Sequence, residues 1–364
     1  MRRSVLLLAL VSSAFMARAA QPVTVEQLEQ FLAQQQAAHV NDADLAQKLA
    51  EVELSEQLTE FRLDRLKAEL KLGDKTATRL NLLADLSAFL GPPASEIPAK
   101  TPPDATAAQE MIHEAQNFAT VALKRLPDFL ATRRTRSFED IPIETGDSAT
   151  QSGMHAIGGL VQEIAYRNGL EFTREAAAAP EAGGPPKASL PGLSSAGEFG
   201  PVLATILSDS AHGTIEWSHW EQNSIGAIAV FRYEVPKESS NYQIDLCCAK
   251  DPDTKELVSY HGKPAYRGFI SVNPATGDVL RLTLEAEIED FDPAQRFGLL
   301  VSYGVVEIAG KSLICPLRSA VTLRSTWVAH KRVWNEIRVN DSAFSAYRRF
   351  GSTARVLPNA TTNK

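Results

Sequence analysis

Between positions 266 and 325 apolar and polar side chains alternate with little error. Leu280, Leu282, Leu284, Ala286 and Ile288 fall on one face of a period-two repeat, and Val279, Arg281, Thr283, Glu285 and Glu287 on the other. That period belongs to a β-strand with one face buried and one in water. It returns at Leu313, Cys315, Leu317, Val321 and Leu323, against Ser312, Arg318, Thr322 and Arg324. Asn273-Pro274-Ala275-Thr276-Gly277 and Ala309-Gly310-Lys311 supply turns that join these runs to 269–272 and 301–308 as two hairpins. The expectation is a long antiparallel sheet with a single apolar face.

From Gln21 to about Leu130 the period is helical. Thr24 and Gln27 form a capping box ahead of Leu28, Phe31 and Leu32. Asn41 or Asp42 caps a second helix with Leu45, Leu49 and Val52. Ser55 opens a third with Leu58, Phe61, Leu66 and Leu70, and Gly73 ends it. A fourth carries Leu80, Leu83, Leu86 and Leu90 and stops at Gly91-Pro92-Pro93. Short amphipathic helices with short links predict a small antiparallel bundle. Pro92 to Pro103 reads as a linker or a loop over the surface. Asp104 caps a longer helix with Met111, Ile112, Ala115, Phe118 and Leu123, which Pro127 ends.

Strands then take over, from Phe129–Phe138 onward. Asn168-Gly169 turns a hairpin over 161–173, and 174–196 is an Ala/Pro/Gly-rich loop. A short helix follows at 198–207, then strands at 214–221, 227–235, 242–248, 334–339 and 344–356, besides the hairpins described first. The fold class is α+β: an N-terminal helical region followed by an antiparallel β-sheet with helices packed on one face. The expected divisions are 1–19, 20–103, 104–358 and a polar tail at 359–364.

Residues 1–19 read as a signal peptide. Arg2 and Arg3 precede an apolar run, Val5 to Met16, too short to span a bilayer, and Ala17-Arg18-Ala19 fits the small-x-small cleavage pattern. No later apolar run is long enough for a transmembrane segment. The expected location is therefore periplasmic or extracellular. Removing the signal changes the formal net charge from −7 to −10, because three of 37 basic residues go and all 44 acidic ones stay. So acidic a chain is repelled by phosphate backbones, and nucleic acid is not an expected partner.

Three cysteines remain. Cys248 shares its strand face with Tyr242, Ile244 and Leu246, and Cys315 lies on its own strand's apolar face, so a Cys248–Cys315 disulfide is one expectation. A Cys247–Cys315 bridge, a vicinal bridge and three buried thiols stay open beside it. Cys247 or Cys248 with His261 does not match a nucleophile spacing. His212, Glu216, His219 and Glu221 include metal-ligand types, but alternation splits them over two faces, so no metal site is expected. Lys124, Arg125, Arg133, Arg134 and Arg136 form a basic cluster, read as a solvated face plus a helix C-terminus. Trp217, Trp220, Phe231 and Tyr233 are either plain core or the lining of a ligand cavity. No phosphate loop, nucleophile elbow, zincin motif or dinucleotide fingerprint occurs, so neither an enzyme nor a cofactor has positive support.

Two resemblances extend this reading. Leu83–Pro93, Arg125–Arg133, Ser195–Gly200, Ala229–Pro236 and Cys315–Ser319 resemble segments of a family of uncharacterised exported bacterial proteins, a match spread over nearly all the mature chain. It implies export and no particular activity. A helix feeding a first strand, then the Asn273–Gly277 hairpin and the Arg281-Leu282 strand, is similar to the periplasmic lipoprotein-carrier (LolA-like) half-barrel over about Asp104 to Val356. That resemblance implies a curved sheet wrapped over helices, with acyl chains held on its concave face. The resulting expectation is a non-enzymatic envelope protein whose half-barrel binds a lipid chain or an acylated partner. Leu280, Leu282, Leu284, Ile288, Trp217 and Phe231 would line the site. The alternative is a protein–protein module that meets an envelope partner through the acidic helical region, where 17 acidic residues face 10 basic ones between Ala20 and Asp128.

Overall fold

Side-chain caps decide where the first helices begin. In the computed structural model, which describes residues 22–123, 126–145, 148–151, 153–175, 193, 195–250, 256–288, 294–329 and 332–350, α1 runs Val25–Ala37. Thr24 Oγ1 accepts from Gln27 N at 3.2 Å, and Gln27 Oε1 accepts from Thr24 N at 2.9 Å, the reciprocal capping box. Asn41 caps α2 (Asp42–Leu49). The third helix, α3 (Glu60–Leu70), starts at Thr59 and not at Ser55. Ser55 N instead bonds Val23 O at 2.9 Å, which holds the chain extended there. For α4 (Asp74–Ser87), Asp42 of α2 acts as the cap, accepting from Lys75 N at 3.0 Å and Thr76 N at 2.9 Å. Leu28, Leu32, Leu49, Leu58, Leu66 and Leu80 form the core of these helices. The chain divides into two compact units, Met1–Ala94 and Ser95–Lys364. The signal segment, most of the Ala/Pro/Gly-rich loop and the polar tail lie outside the described residues.

The second unit opens with a Pro-rich segment that is held down. Trp220 Nε1 donates to Thr101 O at 2.9 Å, and Lys100 Nζ sits 3.6 Å from the centre of the same indole. Asp104 caps α5 (Ala105–Asn117), which runs into a π-helical turn at Phe118–Ala122. The strands are β1 (Phe129–Asp140), β2 (Pro142–Thr145), β3 (Ser148–Gln151), β4 (His155–Arg167) and β5 (Leu170–Glu175), then α6 (Pro201–Ser210), β6 (Thr214–Asn223), β7 (Gly226–Val235), β8 (Ile244–Lys250), β9 (Leu257–Gly262), β10 (Tyr266–Val272), β11 (Val279–Ile288), β12 (Ala294–Ile308), β13 (Lys311–Ala329) and β14 (Arg332–Arg349). Ten of them form one curved, open antiparallel sheet in the order β5-β4-β1-β14-β13-β12-β11-β10-β7-β6. β2–β3 and β8–β9 are separate two-stranded ribbons. The turns at Asn168-Gly169 and Ala309-Gly310 have positive φ at both central residues, the tight hairpin geometry that matches strand twist.

The α5 helix, the π turn and α6 lie on the sheet's apolar face. Phe118, Leu123, Leu203 and Ile206 pack there with Phe231, Leu282, Leu284 and Val301. A second, smaller cluster gathers Phe129, Ile164, Tyr166, Phe199, Cys315 and Phe344 toward the other edge.

Bulges change the phase of the alternation at several points, among them three in β6, β11 and β13. Ser271 pairs with Arg281 and Val272 with Val279, so Leu280 is an extra residue. Val279, assigned by alternation to the polar face, is therefore fully buried in the core, and Leu280 leaves it. Ser302 pairs with Arg318 and Tyr303 with Pro316, which ejects Leu317 to 41 % exposure. Trp217 pairs with Phe231 and His219 with Val230, so Ser218 is extra and Trp217 turns to the same side as Trp220. The two strands expected near 334–339 and 344–356 are instead the single strand β14. Asn340, Asp341 and Ser342 resemble a turn but lie mid-strand, each satisfied: Asn340 by Ser137, Asp341 by Arg318 at 2.9 Å, and Ser342 by Thr135 at 2.8 Å.

Candidate functional site

The residues expected to line an acyl cavity are mostly brought together, and they are packed solid. Leu282 and Leu284 are fully buried, Phe231 and Ile288 nearly so, and all four share one cluster with the helices. Trp217 packs at its margin, edge-on to Trp220 and Phe231 at centroid distances of 4.8 and 5.8 Å. Leu280 is outside the cluster because of the bulge at its own position. The wide apolar face is thus a filled core.

An open cleft lies at the strand ends. It measures about 700 Å³ and runs along the start of β6, the end of β7, the start of β10 and the end of β11. Of the expected lining residues only Ile288 reaches it. Its apolar wall is Val235, Pro236, Tyr260, Pro264, Ala265, Tyr266 and Ile288. Gly213 allows β6 to enter beside β7, since a Cβ there would lie 2.2 Å from Glu234 O. The floor is fixed by Asp209, fully buried, whose carboxylate accepts from Tyr266 Oη at 2.7 Å and from Asn241 N and Nδ2 at 2.7 and 2.8 Å. Burial, and then that hydrogen bond, push the Tyr266 phenol far above its usual range, so it stays a donor. The rim is charged. Arg267 meets Glu285 at 2.8 Å and Glu287 at 3.1 Å, with Lys237, Glu234 and His212 nearby. Sequence reasoning missed this cleft because its walls come from turns and strand ends, where no period marks a face.

The Ser218 bulge places Glu216, His219 and Glu221 on one face, against the split that strict alternation implies. Glu221, however, is held bidentately by Arg281, both contacts 2.6 Å. Burial pushes its pKa up, but Arg281, then His219, outweigh this and hold it at about 2. His212 is at the cleft. Among the described residues no group of three His, Cys, Asp or Glu could hold a metal ion. Cys315 is a free, buried thiol, pushed up to about 12 by burial. The expected Cys248–Cys315 disulfide is therefore not formed. Ile244 and Leu246 of β8 join the larger core whereas Cys315 joins the smaller one, and a bulge between Cys247 and Ala249 breaks the face assigned to Cys248. The side chains of Cys247 and Cys248 lie outside the described residues. His261 is exposed against Asp245.

The basic cluster divides by alternation. Lys124 and Arg125 lie outside the described residues, Arg134 is exposed, and Arg136 bonds Asp341 at 3.1 Å. Arg133 turns inward into a polar cluster that sequence reasoning also missed. Its guanidinium donates to Ser195 O at 2.9 Å and Ser195 Oγ at 3.2 Å and lies 3.6 Å from Glu198. Glu198, fully buried, also accepts from Ser195 Oγ at 2.5 Å and Ser319 Oγ at 3.2 Å. The one available signal was Glu198 standing alone in an otherwise small and apolar segment.

Comparison with known proteins adds little to this geometry. No family model matches the sequence, and no curated protein matches it. The resemblance to exported bacterial proteins therefore rests on the quoted segments alone. Among solved structures, the chain is similar to a LolA superfamily protein from Nitrosomonas europaea, at 10 % identity, over 67 % of this chain and 94 % of that one, with a TM-score of 0.23. At that score the likeness carries no argument about the cleft. Among the described residues no helix is long and apolar enough to cross a membrane.

Proposed function

We propose that this is a non-enzymatic envelope protein whose β domain binds an amphiphile, a lipid chain or an acylated partner, in the strand-end cleft. The observation that carries the reading is the cleft itself: about 700 Å³ with an apolar wall and a charged rim. Ligand sites typically span about 300–1,000 Å³ and combine apolar lining with a few polar groups. A chain would lie against Val235, Pro264, Ala265 and Ile288, with its head group at Lys237 and Arg267. The burial of Leu282, Leu284 and Phe231 beneath the helices favours the cleft over the helix-covered face as the seat.

Ala265 is exposed on the cleft wall, so Ala265→Trp fills the space without entering the core. Binding of a fluorescent lysophospholipid should weaken at least tenfold, with the melting temperature unchanged. Unchanged binding, or no binding by the delipidated wild type, contradicts the proposal.

A second reading has one observation in its favour. The Met1–Ala94 unit is compact and has a leucine core of its own. If it is a protein–protein module, deleting Gln21–Leu90 removes co-purifying envelope proteins while amphiphile binding persists.

A further inference from the structure

The cluster around Glu198 contains a second carboxylate, on the edge strand. Glu171 of β5 accepts from Gly197 N at 3.1 Å and also from Phe199 N. It thereby grips the turn Ser195–Gly200, whose Gly197 has φ +91°, a conformation that favours glycine. That turn is Glu198's own, and it rests on the sheet through Arg133, Ser319 and the Tyr303 hydroxyl, which donates to Glu198 O at 3.1 Å. Two carboxylates thus meet at one turn with a single guanidinium. Oε1 of Glu171 and Oε2 of Glu198 are buried without a hydrogen-bond partner, so the charge of a doubly ionised pair is poorly met.

We propose that Glu171 is a proton-operated clasp: protonated, it holds the turn Ser195–Gly200 against the sheet, and after losing its proton to solvent it repels Glu198 and releases the turn. Release uncovers Arg133 and Ser319, which the turn contacts directly.

The surroundings leave Glu171 as the group that switches near neutrality. Burial first, and the charge of Glu198 second, push it up to about 7, against Arg133 and the two backbone N–H groups. The other titratable neighbours are Tyr166 of β4, Tyr303 of β12, Cys315 of β13, Tyr347 of β14 and Tyr242, all held above their usual values by burial and so protonated throughout this range. Because the closed-state value is raised above the usual 4.5, the stabilisation is full below about 4.5 and is lost as pH rises through about 7. The open fraction of the turn should rise roughly tenfold between pH 6 and pH 8.

Amide exchange of Gly197 and Phe199 in the full chain, corrected for intrinsic pH dependence, reads this directly. The wild type should show the tenfold rise, and Glu171→Gln, neutral at every pH but still an acceptor, should be flat. A Glu171→Gln profile that climbs like the wild type overturns the clasp. Should that variant fail to fold, titration of the wild-type Gly197 amide resonance decides: a midpoint near 7 supports the proposal, and a midpoint near 4.5 or none overturns it.

Discussion

The Arg281–Glu221 pair concentrates the cost of error in two side chains. Both are buried, and the paired oxygens and nitrogens meet at 2.6 Å. Replacing Arg281 with Met leaves a carboxylate inside the protein without its bidentate partner, at a cost of about 3–5 kcal/mol. Urea denaturation at pH 7 measures it. The sign with pH follows from the same contact. Glu221 is held at about 2, below its usual 4.5, so its contribution is present above about 4.5 and disappears as pH falls through about 2. Wild-type stability should fall across that window, and the Arg281→Met variant should lose that part of the decline. Neither partner was legible as a pair from sequence. They stand sixty positions apart on strands that are not neighbours in the sheet, and the Ser218 bulge reset the face of one of them. A serine in a run of polar and aromatic residues gives no local sign that it is the extra one.

At the level of elements, local chemistry was readable and long-range chemistry was not. Thr24, Asn41 and Asp104 cap the helices that their positions imply, because a cap needs only its own next three residues. The start of α3 lies at Thr59 and not at Ser55 because the bond that holds Ser55 extended comes from Val23, far away in sequence. The cap of α4 is likewise distant: Asp42, 33 residues before Lys75, supplies it. Burial pushes the Asp42 carboxyl up, but hydrogen bonds from the Thr76 hydroxyl and from the amides of Thr76 and Lys75, with the charge of Lys75, together hold it below its usual value. Asp42→Ala should destabilise the helical unit by about 1–2 kcal/mol, the range for loss of a good N-cap. Thermal unfolding followed by helical circular dichroism would register it, and a change under a few tenths of that would show the cap to be dispensable. In the sheet, Asn168-Gly169 and Ala309-Gly310 turn where expected, whereas β14 runs unbroken through Asn340-Asp341-Ser342, between the two strands expected at 334–339 and 344–356. Their partners on β1 and β13 keep them in register, and a single-strand reading contains no information about those partners.

At the scale of the whole molecule, the order of helices then strands and the α+β class follow from the change of period near Phe129. The apolar face was also legible, but its contents were not: whether a greasy surface is a cavity or a core depends on how far α5 and α6 descend into it. They fill it, with Leu203 and Ile206 as buried as Leu282 and Leu284 opposite. Leu284→Ala should accordingly cost about 2–5 kcal/mol, as a core truncation does, and leave amphiphile affinity unchanged. The proposed seat of the ligand lies just past the end of α6, at the strand-end cleft. Photo-crosslinking with a diazirine fatty acid, mapped by peptide mass spectrometry, is the most direct test of that placement. Adducts on Tyr260 and on Pro264–Tyr266 are predicted; adducts on α6 or around Leu282 and Leu284, with none at the cleft, would contradict it.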